Sequence, residues 1–97
     1  MERSLSIKEL QEYIKAKDYN PSAKKEYFLK LIEEIGELSE VIRKDLRMTD
    51  EKNIKGTIEE ELYDVLYYIC ALANLYDIDL EESFSLKEKL NREKWGK

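Results

Sequence analysis

The stretch Glu61 to Tyr76, ELYDVLYYICALANLY, limits what this chain can become more than any other, because it is apolar on nearly every side yet opens with two carboxylates. Between Leu62 and Tyr76 the only charged residue is Asp64. As a helix turning about 100° per residue, it sets Glu61, Asp64, Tyr68, Ala71 and Leu75 on one stripe, so the acids begin a face that continues as core. A lone carboxylate on such a face is costly to bury unless it is neutralised or paired. The partner the chain offers is more acid: Glu33, Glu34 and Glu37 in LIEEIGELSEVI. Glu34 and Glu37 are three apart, as are Glu61 and Asp64, so each pair lies roughly on one helix face. Two helices bringing such pairs to a shared seam repel each other unless cations lie between them. All-oxygen donors suit hard cations such as Mg²⁺ or Mn²⁺.

The rest of the composition narrows the chemistry. Histidine is absent, which excludes His-dependent triads and the usual His-containing zinc sites. The single Cys70 rules out thiolate clusters and an intrachain disulfide, and reads as a small buried hydrophobe. A net charge of −5 argues against nucleic-acid binding by bulk attraction, so any phosphate must be met by metal ions or a few placed basic groups. Met1 to Leu10 has no apolar run and no segment reaches the ~18 apolar residues of a membrane span. No signal peptide and no membrane contact are therefore expected, and a cytoplasmic protein is the plain inference.

Along the chain, four helices are expected and no strand. Ser6 and Glu9 form a capping box for a helix over 6–17, on which Ile7, Leu10, Tyr13 and Ile14 repeat at helical spacing. Asn20 before Pro21 opens a second helix that runs to about Arg47, with Phe28, Leu31, Ile32, Ile35, Leu38, Ile42 and Leu46 as its core stripe. Glu34 and Glu37 lie on the shoulder of that stripe, with Val41 on the same side and Lys30 one turn before Glu34. Gly36 costs about 1 kcal/mol within a helix, and its expected use is to let another group come close. A polar joint, RMTDEKNIKG, leads to a third helix capped by Thr57 with Glu60 as a second box and ending near Tyr76. A fourth begins at Asp79 with Glu82, carries Leu80, Phe84, Leu86 and Leu90, and ends in the basic, aromatic tail 87–97. The 23 residues between Glu37 and Glu61 suffice for the second helix to finish and the third to return antiparallel. The fold class is all-α, a four-helix bundle in one domain over residues 1–97. So small a body leaves a helix that is apolar all round partly uncovered, and a homodimer or, next, a homotetramer is expected.

The pattern E-E-x-x-E followed by E-x-x-D resembles the MazG-like all-α nucleoside triphosphate pyrophosphohydrolases. LIEEIGELSEVI, EEELYDVLYYICALANLYDIDLEES and the ending IDLEESFSLKEKLNREKWGK are similar to that family over about Lys30 to Trp95. The resemblance implies a Mg²⁺-dependent enzyme that turns a (d)NTP and water into (d)NMP and pyrophosphate, in house-cleaning of unwanted nucleotides. It implies Glu34, Glu37, Glu61 and Asp64 as metal ligands and Glu33 and Glu34 as the catalytic acids, with Glu33 either supporting the ligands from behind or helping the attacking water. Lys30, Lys89, Asn91 and Arg92 fall where the family meets phosphates, and Tyr68 where it lines the nucleotide pocket. Its base contacts do not transfer cleanly to Tyr13, Tyr19 or Trp95.

Each of these residues also has a bland alternative. Three glutamates at helical spacing commonly form a solvated face, and Lys87, Lys89, Arg92 and Lys94 would favour the negative end of their own helix with no ligand at all. Tyr68 is either a pocket residue or a core tyrosine whose hydroxyl an acid satisfies. Two whole-protein alternatives stand beside the main one. A phosphoribosyl-ATP pyrophosphohydrolase shares the acidic pattern but usually has a His shortly after the aspartate motif, where this chain reads Val65, Leu66, Tyr67, Tyr68. The other is a non-catalytic helical oligomeric adaptor.

Overall fold

The computed structural model describes residues 4–96, which form four α-helices and a short 3₁₀ turn, with no strand among them. Helix α1 (Ile7–Lys17) starts where its cap dictates: the Ser6 hydroxyl accepts from the Glu9 backbone N–H and the Glu9 carboxylate accepts from that of Ser6. Asn20 caps the 3₁₀ turn Pro21–Ala23, which leads into α2 (Lys24–Arg43). Helix α3 (Ile58–Leu75) takes Thr57 as its cap, although the Glu60 carboxylate accepts from Gly56 rather than closing the box on Thr57. Asp79 accepts from Glu81 and Glu82 to open α4 (Leu80–Trp95).

Helix α2 ends at Arg43, four residues short of the expected Arg47. The cause is a Schellman stop: the Leu46 N–H reaches the Val41 carbonyl and the Asp45 N–H that of Ile42, with Asp45 held at φ 52°. The end of α3 repeats it, with Ile78 bonded to Ala73, Asp77 to Asn74, and Asp77 at φ 55°. In both turns an aspartate takes the left-handed position that glycine usually fills, so composition gave no warning of the first.

The phase of α2 also differs from expectation. Phe28, Ile32, Ile35, Ile42 and Leu46 are exposed, Leu31 and Leu38 are half-buried, and the fully buried residues of the helix are Glu34 and Val41. The covered stripe is Tyr27, Leu31, Glu34, Leu38 and Val41, about 80° round from the expected one, with Leu31 and Leu38 common to both. Helix α2 carries two adjacent apolar stripes, and the protomer uses the one that contains the acid. Gly36 has nothing within 4 Å of where a Cβ would stand, so the close approach expected there is not made within the protomer.

Helices α2 and α3 form the main hairpin, α1 lies across α3, and α4 packs chiefly on α1. Ile14, Cys70 and Ala71 are wholly buried at the α1/α3 crossing, with Leu10, Tyr27, Leu66 and Leu80 around them. Burying an isoleucine there stabilises the fold by roughly 1.5–3 kcal/mol. A polar lock fixes the crossing. Gln11 donates to Asn74 (3.1 Å) and to the Ile78 carbonyl (2.8 Å), Asn74 donates back to the Gln11 carbonyl (2.9 Å), and Leu80 N–H donates to Gln11 (2.9 Å). No helix of the described residues is long and apolar enough to cross a membrane.

Candidate active site

The α2/α3 hairpin brings the two acid pairs to one seam. One oxygen each from Glu34, Glu61 and Asp64 lie within 4.8 Å of one another, and Glu33, Glu34 and Glu37 form a second such group. Glu34 belongs to both. Glu34 and Glu61 are each only 7% exposed, Asp64 is half-buried, and Glu33 and Glu37 are open to solvent. The acids thus step outward from a buried pair to a wet rim.

Their electrostatics follow from that crowding. Burial, then a hydrogen bond with Glu37 and the charges of Glu37 and Asp64, push the Glu34 carboxyl up to about 7. Burial, and next the neighbouring acids, also raise Glu61 and Asp64 above the usual carboxylate range, although a hydrogen bond from protonated Glu34 pulls Glu61 partly back. Glu61 Oε1 is buried with no hydrogen-bond partner. A native fold rarely tolerates such an orphan, which costs about 1–3 kcal/mol. The orphan oxygen and the all-carboxylate donor set fit a hard divalent cation, which Glu34, Glu61 and Asp64 would hold with Glu37 at the rim.

Lys30 is the cation beside these acids. Its Nζ stands 3.1 Å from Glu33 and 3.8 Å from Glu34, and Glu33 chiefly raises its pKa. Tyr68 lies one turn beyond Asp64. Its phenol is raised mainly by burial, opposed by Lys30 and aided by Asp18, Glu34 and Asp64. The acid partner that a purely structural Tyr68 would need is not found among the described residues, where its hydroxyl makes no hydrogen bond. Lys89, Asn91 and Arg92 lie on α4, and no ion pair or hydrogen bond joins them to the acids among the described residues. Arg92 and Lys94 occupy the last turn of α4, where its dipole favours them.

Periodicity gave no hint of Asp18, at the end of α1. Its carboxylate accepts from Tyr27 of α2 at 2.5 Å and from Tyr67 of α3 at 2.7 Å. Burial, and next those hydrogen bonds, raise both phenols, Tyr27 to about 12. No spacing rule pairs these residues, and only the hairpin with α1 laid across it does so.

By class, the molecule is an all-helical scaffold whose antiparallel α2 and α3 gather carboxylates, one of them with a buried orphan oxygen, into a group that could hold a divalent cation. The model of the MazG nucleotide pyrophosphohydrolase domain matches residues 22–95. The chain belongs to the MazG nucleotide pyrophosphohydrolase family, and is accordingly a hydrolase acting on nucleotide phosphoanhydrides. It is similar to the crystal structure of N-terminally tagged iMazG from Vibrio DAT 722, with a TM-score of 0.88 and 50% identity over 96% of this chain and 100% of that one. The C-terminally tagged form gives a TM-score of 0.85 and 52% identity over 91% and 99%. No curated protein matches the chain. Family membership sets aside the non-catalytic adaptor and bears out the resemblance that E-E-x-x-E and E-x-x-D carried.

Proposed function

We propose that this enzyme hydrolyses nucleoside triphosphates, deoxy or non-standard forms included, to the monophosphate and pyrophosphate with Mg²⁺. The observation that carries the proposal is the buried, unpartnered Glu61 Oε1 among acids within 4.8 Å of one another. A bound divalent cation supplies a more acidic water and neutralises charge on the triphosphate. Glu34, Glu37, Glu61 and Asp64 hold the metal. Glu33, exposed and within the same acidic group, orients the water and takes up its proton, its pairing with Lys30 yielding when Lys30 turns to a phosphate. Tyr68 lends its free hydroxyl to the nucleotide. Lys89, Asn91 and Arg92 complete the phosphate contacts.

The exposed stripe Phe28, Ile32, Ile35 and Ile42 is more apolar surface than a monomer of this size usually leaves wet, which supports a homodimer or homotetramer of this one domain. Its substrates are those of the cytoplasm, and that is where the enzyme would work. The test is a screen of standard and damaged nucleoside triphosphates for pyrophosphate release with and without Mg²⁺, with products identified. Release of pyrophosphate and a monophosphate, dependent on Mg²⁺ and lost in Glu34→Gln and Asp64→Asn, is expected. A diphosphate product, or turnover indifferent to Mg²⁺, overturns the proposal.

A further inference from the structure

Asp18 ties three helices together beside the acidic seam without touching it. Its two carboxylate oxygens are used separately, one by the Tyr27 hydroxyl of α2 and one by the Tyr67 hydroxyl of α3. Tyr67 in turn meets the Tyr68 ring at a centroid distance of 5.1 Å and an interplanar angle of 70°, an edge-on contact of the kind aromatic pairs favour. Tyr68 is the residue whose hydroxyl is unspent and whose electrostatic neighbours are Lys30, Asp18 itself, Glu34 and Asp64. The chain of contact therefore runs from the Asp18 carboxylate through the Tyr67 ring to the edge of the seam.

We propose that Asp18 is a positioning residue for nucleotide binding: by gripping the Tyr27 and Tyr67 hydroxyls it fixes the Tyr67 ring, which holds Tyr68 at the angle that presents its hydroxyl to the substrate. Two features of the geometry carry it. A carboxylate accepting two phenols is a stronger and more directional tie than two neutral hydrogen bonds. Both phenols belong to the walls of the hairpin, so the tie sets the aromatic rings relative to the carboxylates and not merely α1 relative to α3. The polar lock of Gln11 and Asn74 already secures that second relation. Without the grip, the Tyr67 ring gains rotamer freedom and Tyr68 loses the edge that limits its own swing.

The inference rests on the nucleotide-binding role proposed for Tyr68, and its test keeps the two apart. Pyrophosphate release by the full chain with Mg²⁺ is measured for the wild type, Asp18→Asn, Tyr68→Phe and the double variant, with melting curves for each. Asp18→Asn is expected to raise KM about 5–10-fold with kcat within about 2-fold, and the double variant is expected to be no worse than the poorer single one, because both act through one hydroxyl. A KM unchanged in Asp18→Asn, or single effects that multiply in the double variant, overturns the inference while leaving the pyrophosphohydrolase intact. A wild type inactive on every triphosphate overturns both. Should Asp18→Asn fail to fold, Tyr67→Phe keeps the ring and removes one arm of the grip. A smaller KM rise that disappears when Tyr68 is already Phe supports the inference, and an unchanged KM overturns it.

Discussion

Replacing Glu34 with glutamine separates the cost of the site from its use. In the metal-free protein the Glu34 carboxyl titrates at about 7 when folded against an ordinary 4.5. Between those values the folded chain keeps a proton that the unfolded chain has released, so stability falls as pH rises through this window, by about 1.4 kcal/mol per pH unit for a full proton of difference. The ceiling is about 3 kcal/mol, and solvent reaching Asp64 and Glu37 screens the charges enough to leave about 1–2 kcal/mol. Glu61 and Asp64 are raised as well and slope the same way. Glu59, lowered to about 2 by Arg47, slopes oppositely, but its stability is lost only as pH falls below 4.5, outside the window. The neutral amide that Glu34→Gln introduces imitates the protonated acid at every pH. At about pH 8 and without metal, Glu34→Gln is therefore expected to melt about 5–15 °C above the wild type and to match it near pH 4. With Mg²⁺ at about 100 times its dissociation constant the wild type gains about 2.7 kcal/mol, most of which the variant should lose along with activity. Differential scanning calorimetry in chelator and in Mg²⁺, at both pH values, reads all four quantities. A metal-free wild type whose melting temperature is flat or rising over this range, with Glu34→Gln no more stable at the upper end, would refute the reasoning.

Other substitutions test the scaffold. Ile14→Ala opens a cavity at the wholly buried α1/α3 crossing and should cost about 2–5 kcal/mol by urea unfolding. Asp45→Gly relieves a non-glycine residue at φ 52° and should stabilise the chain by about 0.5–1 kcal/mol, provided the Schellman bonds are kept. Arg47→Ala removes the main cause of the low Glu59 pKa, and NMR titration should find that carboxyl moved up toward the ordinary range. Ile35→Glu on the exposed stripe of α2 should lower the mass measured by sedimentation without loss of helix signal, and an unchanged mass would speak against that face as the subunit contact.

The clustering of the acids was more legible in the sequence than the packing was. Glu34, Glu61 and Asp64 could be paired from their spacing together with the apolar stripes they flank, because a carboxylate in such a stripe must find some solution, and few solutions exist. Ser6, Thr57 and Asp79 marked helix starts for the equally local reason that caps bond within three residues. The phase of α2 could not be read so simply. Phe28, Ile32 and Ile35 look more like core than Tyr27 and Glu34 do, and only the position of α3 decides which stripe is covered. The Gln11–Asn74 lock and the grip of Asp18 span 63 and 49 residues, and nothing in a periodic pattern joins positions so far apart.

The connection between α2 and α3 is pinned shut at its base. The Ile58 N–H donates to the Leu46 carbonyl at 2.7 Å, and Glu59 receives both Arg47 and the Met48 N–H. Beyond that clasp, 49–56 is stitched mainly to itself through Asp50 and Asn53. Extra residues spliced in at Lys52 would lengthen a loop whose ends are already joined, at a chain-entropy cost that grows only logarithmically with length. The hairpin's register, and with it the spacing of the acids, is thus insulated from its own tip, which makes that tip the natural point for grafting a reporter or a recognition segment onto a working enzyme.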